Sequence, residues 1–123
     1  MFTKISTKKA PAAIGPYSQA ILLNDFLFVS GQLPIDPDTS NIASTIEEQT
    51  RQVMKNLKAI LKEAKMTADN VIKTTCFLAN MEDFSVFNQI YSETFTNCPA
   101  RSCVAVKELP KGVLCEIEVI AHI

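Results

Sequence analysis

Arg101, Cys103, Glu116 and Glu118 stand inside two apolar, β-branched runs, 100–106 and 113–121. Charge in such surroundings is costly unless it is paired or used. Side chains alternate along a strand, so Arg101, Cys103 and Ala105 share one face of the first run. Leu114, Glu116, Glu118 and Ile120 share one face of the second. The short loop 107–112 suits an antiparallel pair with Val106 opposite Val113. Cys103 then falls opposite Glu116 and Arg101 opposite Glu118, a register that predicts the guanidinium and both carboxylates on one sheet face.

Two readings of that cluster stand on pattern alone. A cross-strand ion pair on a wet edge contributes only a few tenths of a kcal/mol to ~1 kcal/mol. A guanidinium held on a rigid strand is instead a bidentate receptor for a small carboxylate or phosphate. A glutamate beside it can orient or deprotonate water, or donate a proton where apolar surroundings raise its pKa. Cys103 lacks an evident activating base, because the only histidine is His122, the penultimate residue. It is therefore given a positioning role and not a nucleophile's.

The elements that must position these groups follow from periodicity. A chain of 123 residues is a single domain by its length, 1–123, able to bury a real core yet small enough to gain from oligomerising. A net charge of -1 with lysines spread along the chain leaves no footprint for nucleic acid. No apolar run is long enough for a signal segment or a membrane span, which makes a cytoplasmic protein the expectation. Cys76, Cys98, Cys103 and Cys115 show no metal-ligand spacing, so no metal is expected and the thiols are expected to be reduced.

A strand is predicted at 2–5, then a proline-rich loop to Tyr17, then two strands, 18–23 and 26–30, joined by an Asn24-Asp25 turn. Residues 31–39, with Gly31, Pro34 and Pro37, are predicted irregular. Ser44 or Thr45, with Glu47 or Glu48 three residues on, caps a helix whose apolar side runs through Ile46, Val53, Leu57, Ile60, Leu61 and Ala64. A strand at 71–78 and a helix from about Asp83, with Phe84, Phe87, Ile90, Tyr91 and Phe95 at helical spacing, precede Pro99. The aromatic stripe reads as core and Asn88 as a helix-surface amide. The order argues an α+β domain with helices on one face of a mixed sheet. The bare face implies a partner, most simply another copy of the chain.

Several separated motifs, in order, resemble one known family over essentially the whole length. They are 11–20 (Pro-Ala-Ala-Ile-Gly-Pro-Tyr-Ser-Gln-Ala), Val29-Ser30-Gly31-Gln32, Val71-Ile72-Lys73-Thr74-Thr75, Asn88 with Tyr91, and Pro99-Ala100-Arg101-Ser102-Cys103-Val104 with Glu116-Ile117-Glu118. The family is RidA (YjgF-type), the reactive imine deaminases. The resemblance implies a chorismate-mutase-like (bacillus-type) fold, assembled as a homotrimer with active sites between subunits. It implies hydrolysis of 2-aminoacrylate/2-iminopropanoate and 2-iminobutanoate to 2-oxo acids and ammonia, without a cofactor. Arg101 would clamp the substrate carboxylate and Glu116 would activate water. The Cys103 backbone would help hold substrate or water, Ser30 and Gly31 would shape the pocket floor, and Tyr17 and Asn88 would line the cleft. Residues 96–98 depart from the family pattern, which carries an aromatic before the proline. The rival expectation is a metabolite-binding or regulatory module that uses the same cleft without turnover. Glu118 is left without a role.

Overall fold

The computed structural model describes all residues, 1–123. Six strands form one sheet: β1 (Thr3–Ile5), β2 (Ala20–Leu23), β3 (Phe26–Gln32), β4 (Val71–Leu78), β5 (Ala100–Ala105) and β6 (Cys115–His122). Helices α1 (Ile46–Glu63) and α2 (Phe84–Thr94) cover one face. The spatial order is β1-β2-β3-β6-β4-β5.

The expected β5–β6 hairpin does not form. Strand β5 runs parallel to β4, with Arg101 beside Thr74 and Cys103 beside Cys76, and β6 lies antiparallel between β3 and β4. The reason lies in the unit β4–α2–β5. Parallel neighbours need a long crossover, and α2 supplies one, so β5 returns beside the strand that precedes the helix. Strand β6 then takes the central position because Cys115, Ile117, Val119 and Ala121 are all buried, whereas β5 leaves Ser102, Val104 and Ala105 exposed at the edge.

This order changes which residues share a face. Arg101 and Cys103 lie on the helix-covered side with Thr74 and Cys76. Glu116 and Glu118 pair with Phe77 and Thr75 on the other side. The single-face cluster of one arginine and two glutamates is thus replaced by an arginine on one face and both glutamates on the opposite one.

Helix α1 forms as the pattern requires. The Thr45 hydroxyl oxygen accepts the Glu48 N–H at 3.2 Å, and the same hydroxyl donates to the Glu48 carboxylate at 3.3 Å, a variant of the expected capping box. Glu47 and Glu48 in the first turn and Lys62 in the last complement the macrodipole. Val53, Leu57, Ile60 and Leu61 are essentially fully buried against the sheet. Each contributes about 1.5–3 kcal/mol of transfer free energy. Helix α2 stops at Thr94, before Pro99 requires it, with Phe95 leaving helical geometry.

The β2–β3 turn places Asn24 at φ 52, as a two-residue turn demands. Strand β3 runs past Ser30 into the segment predicted irregular, through a bulge between Val29 and Gln32. On the uncovered face Leu23 lies beside Phe26, Phe28 beside Ile120, and Phe77 beside Val104. Leu23, Phe26, Phe28 and Val104 are exposed there, an apolar surface with no cover from this chain. No helix is long and apolar enough to cross a membrane.

Candidate active site

Arg101 is held by one stripe of α2. Phe84, Asn88 and Tyr91 follow at i, i+4 and i+7, so all three face β5. The guanidinium Nη1 donates to Asn88 Oδ1 at 2.7 Å, and its carbon lies 4.8 Å from the Tyr91 ring centre and 5.5 Å from that of Phe84. The Tyr91 hydroxyl pairs with that of Thr74 at 2.7 Å, which anchors the ring from below. Burial pushes the Tyr91 pKa up, and the Thr74 hydrogen bond opposes it.

Arg101 has no carboxylate partner; the two ion pairs of the chain both use Arg51, with Glu47 and Glu93. One of five guanidinium N–H groups is used by a side chain, and the cation is only half-buried. A rigid guanidinium with donors to spare is an anion receptor.

Cys103 sits two residues along on the same side. Burial pushes its thiol up, against weaker lowering by the Arg101 cation and a Cys76 hydrogen bond. Cys76 and Cys115 are pushed up to about 12 by burial. Burial thus disfavours the thiolate at all three.

Glu116 belongs to a different place. It lines a cavity of about 620 Å³ with Tyr17, Ser30, Gly31, Lys111 and the apolar side chains of Ile14, Leu33 and Ile35. Gly31 leaves room for the Glu116 carboxylate in its present position: a Cβ there would overlap it. The bulge in β3 brings this backbone to β6, and Ser30 is fixed by its hydroxyl donating to the Ser18 carbonyl at 2.6 Å. The proline loop that forms the outer wall is stapled by buried Gln19. Its Oε1 accepts the Thr7 N–H at 2.8 Å and its Nε2 donates to the Pro11 carbonyl at 2.8 Å.

Burial raises the Glu116 pKa, and the Glu118 charge two residues along adds to it. The folded pKa therefore lies above the unfolded value of about 4.3. The relative stability this group confers is present below that value and is lost as pH rises through the folded pKa. Glu116→Gln is accordingly expected to melt higher than wild type by a few °C or less at pH 7, with the gain vanishing near pH 4. Melting curves across that range check the sign.

The structure thus groups the expected residues into two sets. Tyr17, Ser30, Gly31 and Glu116 line one cavity; Arg101, Asn88 and Cys103 stand on the other side of the sheet. The seat of Arg101 is not legible in the sequence, because the aromatic stripe of Phe84 and Tyr91 reads as core and Tyr91 enters the family motif beside Asn88 without a role. Sequence reasoning also missed the buried amides Gln19, Gln49 and Asn56 and the cavity residue Lys111. The amides left a signal, polar residues interrupting apolar stripes.

Residues 7–123 match the family model described as endoribonuclease L-PSP. The chain belongs to the RidA (YjgF-type) family. Among curated relatives, a protein named as a regulator, AldR, from Lactococcus lactis is 59% identical over 121 residues, covering 97% of this chain and 96% of the relative. Among solved structures, YyfA of Yersinia pestis, a member of the Rid family, is 52% identical with a TM-score of 0.97 and full coverage of both chains. Escherichia coli TdcF with bound serine is 40% identical with a TM-score of 0.95, covering 98% of each chain. The fold of these relatives is therefore shared along the whole chain.

Proposed function

We propose that this RidA-family chain hydrolyses reactive 2-imino acids, 2-iminopropanoate and 2-iminobutanoate, to 2-oxo acids and ammonia, at sites shared between neighbouring copies of a homotrimer. The observation that carries the reading is the separation of an unpaired guanidinium from a half-buried carboxylate on opposite faces of one sheet, beside an uncovered apolar face. A closed ring of copies, each laying its Arg101 edge over the Glu116 cavity of the next, joins the two halves and covers that face. TdcF, a relative of the same fold, was solved with serine, which carries its carboxylate and α-nitrogen on the same carbon positions as a 2-imino acid, with an amine in place of the imine.

The chemistry asks little of the protein. The iminium carbon is already electrophilic, so the site must orient the acid group and place water within reach. Arg101 takes the substrate carboxylate in its fork, with Asn88 and the two rings fixing the plane. Water attacks the carbon and passes a proton to the Glu116 carboxylate. That proton then goes to the nitrogen; as the C–N bond breaks, the hydroxyl left from the water gives its remaining proton back to the Glu116 carboxylate, which passes it to solvent, and the 2-oxo acid and ammonia depart. The raised pKa of Glu116 brings its basicity nearer the working pH. The enamine 2-aminoacrylate enters after protonation at its methylene carbon gives the imine.

The AldR relative, named as a regulator, favours one second reading, a metabolite-binding module that occupies the same cleft without turnover. Cleavage of RNA has no support from the site: neither half contains a histidine, and His122 packs edge-on against Phe26, ring centres 4.6 Å apart.

The test couples the protein to an amino-acid oxidase or dehydratase that generates the imine. Wild type is expected to accelerate release of 2-oxo acid and ammonia. Arg101→Ala is expected to lose that acceleration while keeping the native mass. An Arg101→Ala variant with full activity overturns the assignment, and ligand protection of the wild type without turnover supports the module reading.

A further inference from the structure

The apolar side of α1 is interrupted by amides at Gln49 and Asn56, two turns apart, which are 4% and 0% exposed. An amide withdrawn from water is unfavourable unless its hydrogen bonds are met, and both are met. Gln49 Oε1 accepts the Leu114 N–H at 2.8 Å while its Nε2 donates to the Ala43 carbonyl at 2.8 Å. Asn56 Nδ2 donates to the carbonyls of Leu33 and Ile35 at 3.0 Å each, and its Oδ1 accepts from Gln52 at 2.9 Å.

Neither amide lines the Glu116 cavity, yet what each holds does or leads into it. Leu33 and Ile35 are walls of that cavity. Leu114 precedes β6 and stands two residues before Glu116; its carbonyl is held by the Ala79 N–H at 3.0 Å, so its two peptide groups are pinned from α1 and from β4's end. Segments 33–35 and 113–114 lie outside the strands: Leu114 meets the sheet only through its carbonyl on Ala79, which leaves its N–H to Gln49, and Ile35 bridges to Ile42. Apolar side chains of similar volume would fill the same space, whereas only amides can set the backbone at named atoms.

We propose that α1 is the positioning element of this half-site: Gln49 sets the Glu116 carboxylate through Leu114, and Asn56 sets the facing wall through Leu33 and Ile35. The inference rests on the imine-hydrolysis reading for its kinetic consequence, but not for its structural one. Gln49→Met keeps length and burial and abolishes both hydrogen bonds. Gln49→Asn, one methylene shorter, keeps an amide that no longer reaches Leu114. In both variants Arg101 and its seat are untouched, so substrate capture is unchanged.

The expected result is a kcat reduced roughly ten- to a hundredfold for Gln49→Met, less for Gln49→Asn, with KM within about twofold. Asn56→Leu is expected to show the same split. A second readout does not require activity: the Glu116 carboxyl, followed by ¹³C NMR titration, is expected to shift towards its ordinary value in Gln49→Met as the strand entry loosens and admits water. A merely structural role predicts lower melting temperatures with kcat and the Glu116 titration unchanged, and that outcome overturns the proposal. Should wild type show no turnover at all, the hydrolysis reading fails, while the titration still decides whether Gln49 positions Glu116.

Discussion

Refolding Arg101→Ala and Glu116→Gln chains together, each inactive alone, is expected to restore activity. The losses in the single variants are large. Truncating one partner of a buried charge pair costs about 2–5 kcal/mol, which is roughly thirty- to several-thousandfold in kcat/KM. Removing a general base costs about a hundred- to ten-thousandfold. In a mixed ring a site works when its guanidinium comes from a Glu116→Gln copy and its carboxylate from an Arg101→Ala neighbour. At equal amounts each condition holds half the time, so recovery is roughly one quarter of the wild-type rate. Recovery of this kind follows only if the site is built across copies. An absence of recovery, with mixed oligomers verified by mass, sinks the shared site. The experiment is feasible because Arg101→Ala leaves the fold intact: it gives up stacking on Tyr91 and Phe84, about 0.5–2 kcal/mol, and not core volume.

That expectation arises from a topology the sequence showed only in pieces. Local rules carried far. Thr45 capped α1, Asn24 turned β2 into β3, and the alternation along β4 and β6 matched their buried faces. Placing helices on one face of a mixed sheet followed from element order. Strand pairing did not, because it is a non-local choice and the nearest partner in sequence is not always the partner in space. The order strand, helix, strand at β4–α2–β5 already favoured a parallel return, and that signal was outweighed by the short β5–β6 loop. The consequence for the site was large: the register error moved Arg101 to the same face as Glu116. The motif residues themselves were legible as a set by family resemblance. Their division between the two faces of the sheet, and the aromatic seat beneath Arg101, needed coordinates, since a residue such as Tyr91 can be core on one edge and cation platform on the other.

Gly31→Ala is expected to lower kcat about a hundredfold while changing melting temperature by only a few °C. The conformational side of the argument is simple. Gly31 does not occupy the left-handed region, so alanine adopts its backbone geometry without strain and even reduces the entropy of the unfolded chain. The penalty is steric and falls on one group. The added Cβ would meet the Glu116 carboxylate and would lie 2.9 Å from Cδ and 3.2 Å from Cγ of that side chain. A glutamate terminus is flexible, so the carboxylate swings away and the sheet survives, but a displacement on the order of 1 Å is enough to lose the water geometry. Gly112→Ala supplies the opposite case: φ is 65 and nothing lies within 4 Å of a Cβ there, so strain lowers stability by about 1 kcal/mol without touching activity. The decisive comparison is a double-mutant cycle. If Gly31→Ala acts through Glu116, it adds little once Glu116→Gln has removed the base, and the two effects fail to sum. Additive losses, or a fully active Gly31→Ala, would place the reacting water somewhere other than above Gly31.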